Sequence, residues 1–446
     1  MTATGGWSER VAWLLPVILG LAVGVLVTFG VKWVALAFVG LAVTIVGVTY
    51  PVTLVALMWL ALLMDRAGVT GQKIGEFPIT ASKLAVVGSL GLWSLHAVLG
   101  RAKWIRWHAV LWALLGVVAA MAFCIAVANC LKVGKFDLYG IGMMIVMVAL
   151  VFAILAEAAL QPLYRFLGVL FVGALALSLT GGGAGAGEAA RATGTMGDPN
   201  EWATLVLLTT PFLLGGLADE YRAPWWIVRV ALVLLAPAAI FVSGSRSALA
   251  VGVLISPFAL YLLRKQTGEL VLAACIALVA SPFLLTRDTL LYRMQLLWDN
   301  LRGAAVIHDD SLAERTELFE QGKALFLDHL WFGAGPGMFE RETGFISESG
   351  KLRPAHNTYL EIASEQGFVG LFATAVFIVT VVWSLRSALL MAGSTPAKHR
   401  IIGVGLGLFA LCAMAATLGL ITFSTGYLVL GFGLALTHQA RHGLVR

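Results

Sequence analysis

One arginine stands in a glycine-rich stretch that suits an anionic ligand. Arg191 falls within residues 181–194, which are mostly glycine and alanine, and Asp198-Pro199-Asn200 follow at the mouth of an apolar run. Glycine lets backbone N–H groups approach a ligand closely, and a planar guanidinium binds two phosphate oxygens at once. We predict that Arg191 binds an anionic group; the alternative is a flexible loop with one solvated arginine.

A second arginine lies in a tight link between two apolar runs. Arg246 follows Ser243-Gly244-Ser245 and precedes Ser247, on the side where basic residues are disfavoured. A charge held at the membrane boundary is costly and tends to mark a functional site or a lipid headgroup contact. Arg246 could instead simply snorkel to the headgroups. The serines could donate hydroxyl hydrogens to the same ligand or merely cap the next helix.

The candidate for proton transfer is His356, which directly precedes a predicted helix start. Asn357 can cap that helix, so the imidazole would have a defined direction. Histidine is the side chain best matched to taking a proton near neutral pH, and a structural role is the alternative. We expect its pKa near 6.5, lower if Arg353 dominates and higher if Glu361 does. Glu361 and Glu365 share a helix face, and either could orient the histidine or an arginine, or be solvated.

Other familiar chemistry has little support in the sequence. His308-Asp309-Asp310 offers ligand types for a divalent cation, but three adjacent residues in a turn are more simply a solvated loop. The four cysteines show neither CxxC nor Cys/His spacing, and the chain has neither a Walker phosphate loop nor a GxSxG hydrolase elbow. We therefore expect neither a metal nor another cofactor.

The composition places these residues in a membrane protein. The 446 residues are 60% hydrophobic and 12% charged, with a mean hydropathy of +0.91; soluble domains have about a quarter of their residues charged. Lys and Arg exceed Asp and Glu by only 30 to 24, and the excess is spread over loops, which does not suit a nucleic-acid binder. We predict an all-α polytopic membrane protein with no nucleic-acid partner.

Apolar windows of spanning length recur along the chain, and they predict twelve to fourteen transmembrane helices, an even number. The first window is interpreted as a span that stays rather than a removed signal peptide. Lys and Arg are more frequent in the short links on the side of the N-terminus, which predicts that both termini are cytoplasmic. The windows lie near 11–29, 32–49, 51–64, 83–99, 108–129, 138–157, 163–180, 201–217, 225–242, 247–263, 269–286, 366–390, 400–418 and 422–437.

One segment, residues 287–357, is acidic and lacks a spanning run, so we predict a helical domain on the outer face. It divides the chain into an N-terminal transmembrane bundle over 1–286, this domain, and C-terminal transmembrane helices over 358–446. Apolar residues at helical spacing over 290–301 predict an amphipathic helix on the membrane or on the bundle.

Two further signals lie within the outer domain. Ser311 and Glu314 form a capping box that predicts a second helix through about His329. Gly333-Ala334-Gly335-Pro336-Gly337 then predicts a sharp break in the chain.

Taken together, these motifs resemble the O-antigen ligase superfamily, and most of all its lipopolysaccharide O-antigen ligases. The resemblance covers most of the chain from about residue 180 onward, and the layout of many spans with one large late loop is similar. It is carried by Arg191 before Asp198-Pro199-Asn200, by Ser243-Gly244-Ser245-Arg246, by Gly333 to Gly337, and by His356-Asn357-Thr358-Tyr359-Leu360-Glu361 with Gly367 and Gly370.

The resemblance implies a GT-C-like fold in the bacterial inner membrane, with a periplasmic active site. It implies metal-independent, inverting transfer of O-antigen from undecaprenyl diphosphate to a hydroxyl of the lipid A-core, in contact with membrane lipid. It implies His356 as general base and Arg191 and Arg246 as catalytic residues that bind the diphosphate together with Ser245. The residues in support are Asn200, Gly335, Gly337, Arg353, Asn357, Tyr359 and Glu361.

Two other functions stay open from the sequence. An O-antigen polymerase would use the same donor with an O-antigen chain as the acceptor. A lipid or polysaccharide transporter would explain the membrane arginines as headgroup contacts, would need no base at His356, and would form no covalent product.

Overall fold

The structure is a computed structural model of the chain. It describes residues 44–47, 49–64, 73–74, 77–78, 80–100, 108–180, 198–220, 224–285, 310–346, 352–421 and 423–444. Arg191, His308 and Asp309 lie outside these residues, and so do the segment 290–301 and most of the first two predicted spans.

The described residues form fourteen helices and one short hairpin. In the hairpin, β1 (Lys73–Ile74) runs antiparallel to β2 (Phe77–Pro78), with Lys73 opposite Pro78. The helices are α1 (Val52–Met64), α2 (Ala81–Val98), α3 (Ala109–Val127), α4 (Leu131–Leu155), α5 (Gln161–Thr180), α6 (Pro199–Leu217), α7 (Trp225–Ser243), α8 (Arg246–Leu262), α9 (Thr267–Leu285), α10 (Asp310–Asp328), α11 (Phe339–Thr343), α12 (Thr358–Met391), α13 (Thr395–Met414) and α14 (Ser424–Arg441).

This architecture confirms the predicted all-α polytopic membrane protein. Seven of the described helices, α2 to α5, α7, α12 and α13, are long and apolar enough to cross a membrane. A helix occupies every predicted span window from 51–64 onward. The total of twelve to fourteen spans stays a prediction, since the windows 11–29 and 32–49 lie mainly outside the described residues.

The helices of the bundle pack closely where small residues face each other. α6 lies in the core, and Trp202 and Phe212 on it are fully buried. α6 contacts α13 backbone to backbone, because a Cβ on Gly403 would lie 2.5 Å from the Pro211 carbonyl oxygen and 2.9 Å from Gly215 Cα. Close backbone approach of this kind is typical of helices that pack together in membrane proteins.

An ion pair buried near the α6–α7 link joins three helices. Arg229 of α7 is fully buried, and its Nε donates to Oε2 of Glu269 on α9 at 2.8 Å while Nη1 donates to the Leu217 carbonyl at 2.9 Å. Beside it, His399 Nδ1 on α13 lies 2.8 Å from Asp219 Oδ2. These contacts fix the α6–α7 link against α9 and α13.

We expect Glu269→Ala to lower the free energy of unfolding by about 3–5 kcal/mol, because Arg229 would stay buried without its carboxylate. Glu320→Ala is the matched control, because Glu320 pairs at 3.3 Å with Lys323 and both side chains are exposed, so its loss should change stability little. Unfolding of both variants followed in the same detergent would check this. Equal stability of the two variants would contradict the structural role of the buried pair.

Candidate functional site

His356 is held immediately before α12 with an unusual backbone. Its φ is +49°, in the left-handed region that few non-glycine residues adopt. Asn357 caps the helix as predicted, since its Oδ1 accepts hydrogen bonds from the N–H groups of Tyr359 (3.0 Å) and Leu360 (3.1 Å). Strained backbone of this kind is often found where a side chain must point in one direction. The end of the bundle at which His356 lies is called the site end below.

The charges around His356 come from three parts of the chain. Burial lowers the pKa of His356 below its ordinary value, and Arg315 and Arg353 lower it further, while Glu314 and Asp198 oppose them. Of the two directions that the sequence left open for this pKa, the lowering by Arg353 is the one found, and Glu361 is not among the groups that act on His356. Arg315 of α10 lowers the pKa as well. The neutral imidazole, which is the form that accepts a proton, is therefore favoured at pH 7.

Arg353 is itself paired, because its Nε lies 2.7 Å from Oε1 of Glu314. Glu314 and Arg315 both lie near the start of α10, which begins at Asp310 and ends at Asp328, close to the predicted bounds of Ser311 to His329. The segment before His356 is thus tied to the extramembrane helix α10.

Asp198 brings the start of α6 to the site end. Its Oδ1 accepts from the N–H groups of Asn200 (2.7 Å) and Glu201 (3.0 Å), and Pro199 occupies the first turn. The Asp-Pro-Asn sequence is therefore a helix N-cap with proline in its preferred place. Because Asp198 acts electrostatically on His356, the start of α6 lies near the imidazole.

The link between α7 and α8 forms a turn centred on Gly244. Gly244 ends α7 with a left-handed φ of +66°, and α8 starts at Arg246. Ser243 Oγ donates to the Ile240 carbonyl at 2.6 Å, and Ser245 Oγ pairs with Ser247 Oγ at 3.3 Å. Ser245 holds the N-cap position but makes no side-chain cap hydrogen bond, so capping by Ser245, one of the two sequence alternatives, is wrong.

Arg246 lies at the same end of the bundle as Asp198. Two short links join α6 to α7 and α7 to α8, so α6 and α8 run in the same direction. They lie side by side, since a Cβ on Gly252 of α8 would be 3.5 Å from Cδ2 of Leu207 on α6. The starts of both helices therefore reach the same end, and the Arg246 side chain is exposed there.

The helix that follows His356, α12, is broken near the site end. Gly367 has φ +60° and ψ −154°, which no helix contains, and it divides α12 into a first segment (358–366) and a second segment (368–391). A Cβ on Gly367 would lie 2.5 Å from the carbonyl carbon of Trp331. Only glycine combines this φ with so close an approach of a second backbone.

The break leaves four backbone groups without their helical partners, and one loop satisfies all four. Phe368 N donates to the Leu330 carbonyl (2.8 Å) and Val369 N to the Trp331 carbonyl (3.2 Å). In the other direction, Ala334 N donates to the Ser364 carbonyl and Gly335 N to the Glu365 carbonyl, both at 2.9 Å. Residues 330–338, called the glycine loop below, thus replace the two helical hydrogen bonds that the break removes.

The glycines of this loop are required by their neighbours. Gly335 has φ +109°, and a Cβ there would lie 2.6 Å from Cys130 Sγ; at Gly337, with φ +75°, a Cβ would lie 2.9 Å from Asp137 Oδ2. The predicted sharp break at Gly333 to Gly337 is confirmed, and Gly335 and Gly337 pack closely against Cys130 and Asp137.

The two predicted glutamates have different surroundings. Glu365 is 4% exposed, and its Oε1 accepts from the Phe339 N–H at 2.9 Å, so it holds the end of the glycine loop and is not solvated. Glu361 faces the carboxylates of Asp137 and Glu340. Neither is among the groups that act on His356. Sequence spacing placed them on one face correctly but could not show that both meet α11, Glu365 at Phe339 and Glu361 at Glu340.

The first segment of α12 is also fixed at its start. Thr358 N donates to the carbonyls of Ala415 (2.8 Å) and Leu418 (3.1 Å), and Tyr359 Oη donates to the Cys412 carbonyl at 2.8 Å. Tyr359, predicted as a supporting residue, therefore attaches α12 to α13.

Sequence analysis missed several residues that shape this site. Arg315 was overlooked because a charged residue on an extramembrane helix looks solvated, and Asp137 because it stands at the edge of an apolar window. Asp137 had a weak signal, since a carboxylate next to a membrane span is costly unless it has a role. In the part of the chain that the structure describes, His, Cys, Asp and Glu form no group of three placed to hold a metal ion.

Sequence comparison gives an independent result. Residues 230–375 match the family model described as O-antigen ligase, a range that contains Arg246, the glycine loop, His356 and Gly367. The match confirms the resemblance to the O-antigen ligase superfamily. The matching family covers both ligases and polymerases, and it implies an enzyme related to glycosyl transfer. No curated protein matches the chain.

We expect Gly367→Ala to destabilise the protein strongly, because alanine is strained at this φ and its Cβ would push the glycine loop away from α12. Gly405→Ala on α13 is the matched control, since a Cβ at Gly405 meets nothing within 4 Å and alanine favours a helix by up to about 1 kcal/mol. The thermal midpoints of the two variants would check this, and a Gly367→Ala protein as stable as the control would contradict the described break.

Proposed function

We propose, from the O-antigen ligase match over residues 230–375, that this chain is a ligase of O-antigen. It would transfer the glycan from undecaprenyl diphosphate to a hydroxyl of the lipid A-core. One observation carries the proposal: His356 is fixed and kept neutral by its surroundings at the same end of the bundle as Arg246 and Asp198. A base at the same end of the bundle as a cationic link suits transfer from a diphosphate donor.

The proposed reaction is a single displacement with inversion. His356 takes the proton from the acceptor hydroxyl, the hydroxyl oxygen forms a bond to C1 of the donor sugar, and the bond from C1 to the diphosphate oxygen breaks. Undecaprenyl diphosphate leaves with the electron pair. General-base catalysis of this kind contributes roughly 10² to 10⁴ in rate.

The leaving diphosphate develops negative charge that must be stabilised. Arg246, with Arg191, would supply this without a metal, because a guanidinium contacts two phosphate oxygens at once and keeps its charge. Ser245 would add a hydroxyl to the same oxygens. Arg191 lies outside the described residues, and its role rests on the resemblance and on Asp198, which brings the following helix to His356.

The membrane arrangement belongs to the same proposal. We infer that the site end faces the periplasm and that both termini are cytoplasmic, in the inner membrane of a Gram-negative bacterium. The outer face has no nucleotide supply, so the activated donor must be lipid-linked and enter sideways from the bilayer. Residues 287–357 would frame that opening, with the transmembrane units 1–286 and 358–446 on either side.

A polymerase is the second candidate, because the matching family covers both activities. The decisive test deletes the gene in a smooth Gram-negative host and separates its lipopolysaccharide on a gel. A ligase deletion leaves long lipid-linked O-antigen unattached and the lipid A-core uncapped. A polymerase deletion leaves the core carrying a single repeat unit, and an unchanged ladder would end both proposals.

We expect Arg246→Lys to remove most transfer activity, because lysine keeps the charge but loses the planar fork that contacts two oxygens. Lys398→Arg, in the first turn of α13, is a control that should leave the rate unchanged. The transfer rate of each purified variant would be measured in nanodiscs, and co-elution of the protein with the nanodiscs would verify its insertion. Normal activity of Arg246→Lys would remove the diphosphate-binding role.

His356→Asn should lower the rate by roughly 10² to 10⁴ while leaving the fold intact. Asparagine tolerates the left-handed region and keeps a hydrogen-bonding side chain, so the backbone before Asn357 is preserved and only the titratable proton acceptor is lost. Donor binding and the thermal midpoint, measured on the same preparation, should stay close to the parent. A fully active His356→Asn protein would end the general-base role.

The pH dependence gives a separate expectation. Because the pKa of His356 is lowered, the acid limb of the kcat/KM profile should have its midpoint below 6.5, with the base active above it. Arg315→Gln removes a nearby positive charge, which raises the pKa and should move that limb to higher pH. Lys323→Gln, on the exposed part of α10, should leave the limb in place. If the acid limb has the same midpoint in Arg315→Gln as in the parent, the group that titrates in it is not His356.

A further inference from the structure

An exposed apolar patch lies where α10 runs into the glycine loop. Leu327 is 56% exposed, Leu330 37% and Trp331 67%. Large apolar side chains gathered at one exposed place usually mark a contact with a partner or with a membrane.

The patch continues directly onto α12. The Trp331 and Phe368 rings lie 5.9 Å apart, and Phe326 meets Phe368 edge-on at 5.3 Å. Phe368 and Phe372 are exposed in turn. Only 11% of the most apolar window of α12 is buried within the protein, so the exposed side of this membrane-spanning helix faces lipid and the patch extends that lipid-facing surface.

Backbone contacts fix the depth of Trp331 relative to α12. Its carbonyl accepts from Val369 N at 3.2 Å, and the Leu330 carbonyl accepts from Phe368 N at 2.8 Å, so both residues stand beside the first turn of the second segment. Residues 368–391 span about 36 Å at 1.5 Å per residue, slightly more than the roughly 30 Å hydrocarbon core. The first turn therefore lies at the membrane–water interface, where tryptophan rings are most favourable.

The middle of α10 carries charged residues. Glu317, Glu320 and Lys323 are all exposed, and Glu320 pairs with Lys323. Phe319 is also exposed there, but the exposed charges lie along the middle of the helix while Leu327, Leu330 and Trp331 lie at and just after its end. This suits a helix whose C-terminal end enters lipid while its middle stays in water.

We propose that Leu327, Leu330 and Trp331, together with Phe368 and Phe372, form a bilayer-anchoring surface. The end of α10 rests in the lipid interface beside α12, and the occupant of the patch is membrane lipid. Because Glu314 and Arg315 of the same helix act on His356, this anchor sets the height of those charges above the bilayer. The anchoring surface does not depend on which reaction the site performs.

The test places a small fluorescent amino acid at single positions of the full chain in nanodiscs. With the label at 331 or at 327, nitroxide lipids labelled near the headgroup should quench the fluorescence strongly, and aqueous iodide should quench it weakly. The label at 320, on the same helix, should show the reverse. Position 327 serves as the second probe if the label at 331 prevents folding, and thermal melts verify each labelled protein.

Iodide quenching at 327 and 331 as strong as at 320, with no effect of the lipid nitroxide, would overturn the anchor. Equal lipid quenching at all three positions would overturn it as well, because α10 would then lie in the bilayer along its whole length. Neither result bears on the transfer reaction, so the failure of this inference and that of the proposed function are distinguishable.

Discussion

The break in α12 at Gly367 is the constraint on which the site end depends. A helix that stops inside or beside a membrane exposes N–H and C=O groups that water cannot reach, and each unsatisfied group is expensive. Here the glycine loop supplies two carbonyls and two N–H groups for the four that the break frees. The two segments are therefore one structural unit, and the loop, about thirty residues earlier in the chain, is as necessary to α12 as the helix's own hydrogen bonds.

From that unit the position of His356 follows. The first segment of α12 is held at its end by the glycine loop and at its start by Thr358, which binds the α13–α14 link. The residues just before it are tied through Arg353 to α10. An imidazole fixed from both sides, with a left-handed backbone, has little freedom to turn, and the charges that lower its pKa come from those same neighbouring elements.

Sequence reasoning worked where one local rule decides the outcome. Apolar windows predicted the helices, Asn357 was recognised as a cap, and the Gly333 to Gly337 run was recognised as a break. It could not show what the break contacts, because backbone-to-backbone hydrogen bonds between Ala334 and Ser364 leave no side-chain pattern. The Arg229–Glu269 pair was missed for a related reason. The two residues are forty positions apart, and each charge looks unfavourable beside its own apolar run. Only the packing of α7 against α9 brings them together as an ion pair.

Hydrogen exchange at the glycine loop measures whether the loop satisfies the backbone groups that the break at Gly367 frees. Fragmentation of peptides from the deuterated protein in nanodiscs would resolve the amides of Ala334 and Gly335, which lie outside any helix. Both amides should exchange slowly, at rates like those of the first segment of α12, because they donate to the Ser364 and Glu365 carbonyls. Exchange as fast as in the exposed turn at Gly344 would show instead that the glycine loop does not complete the broken helix.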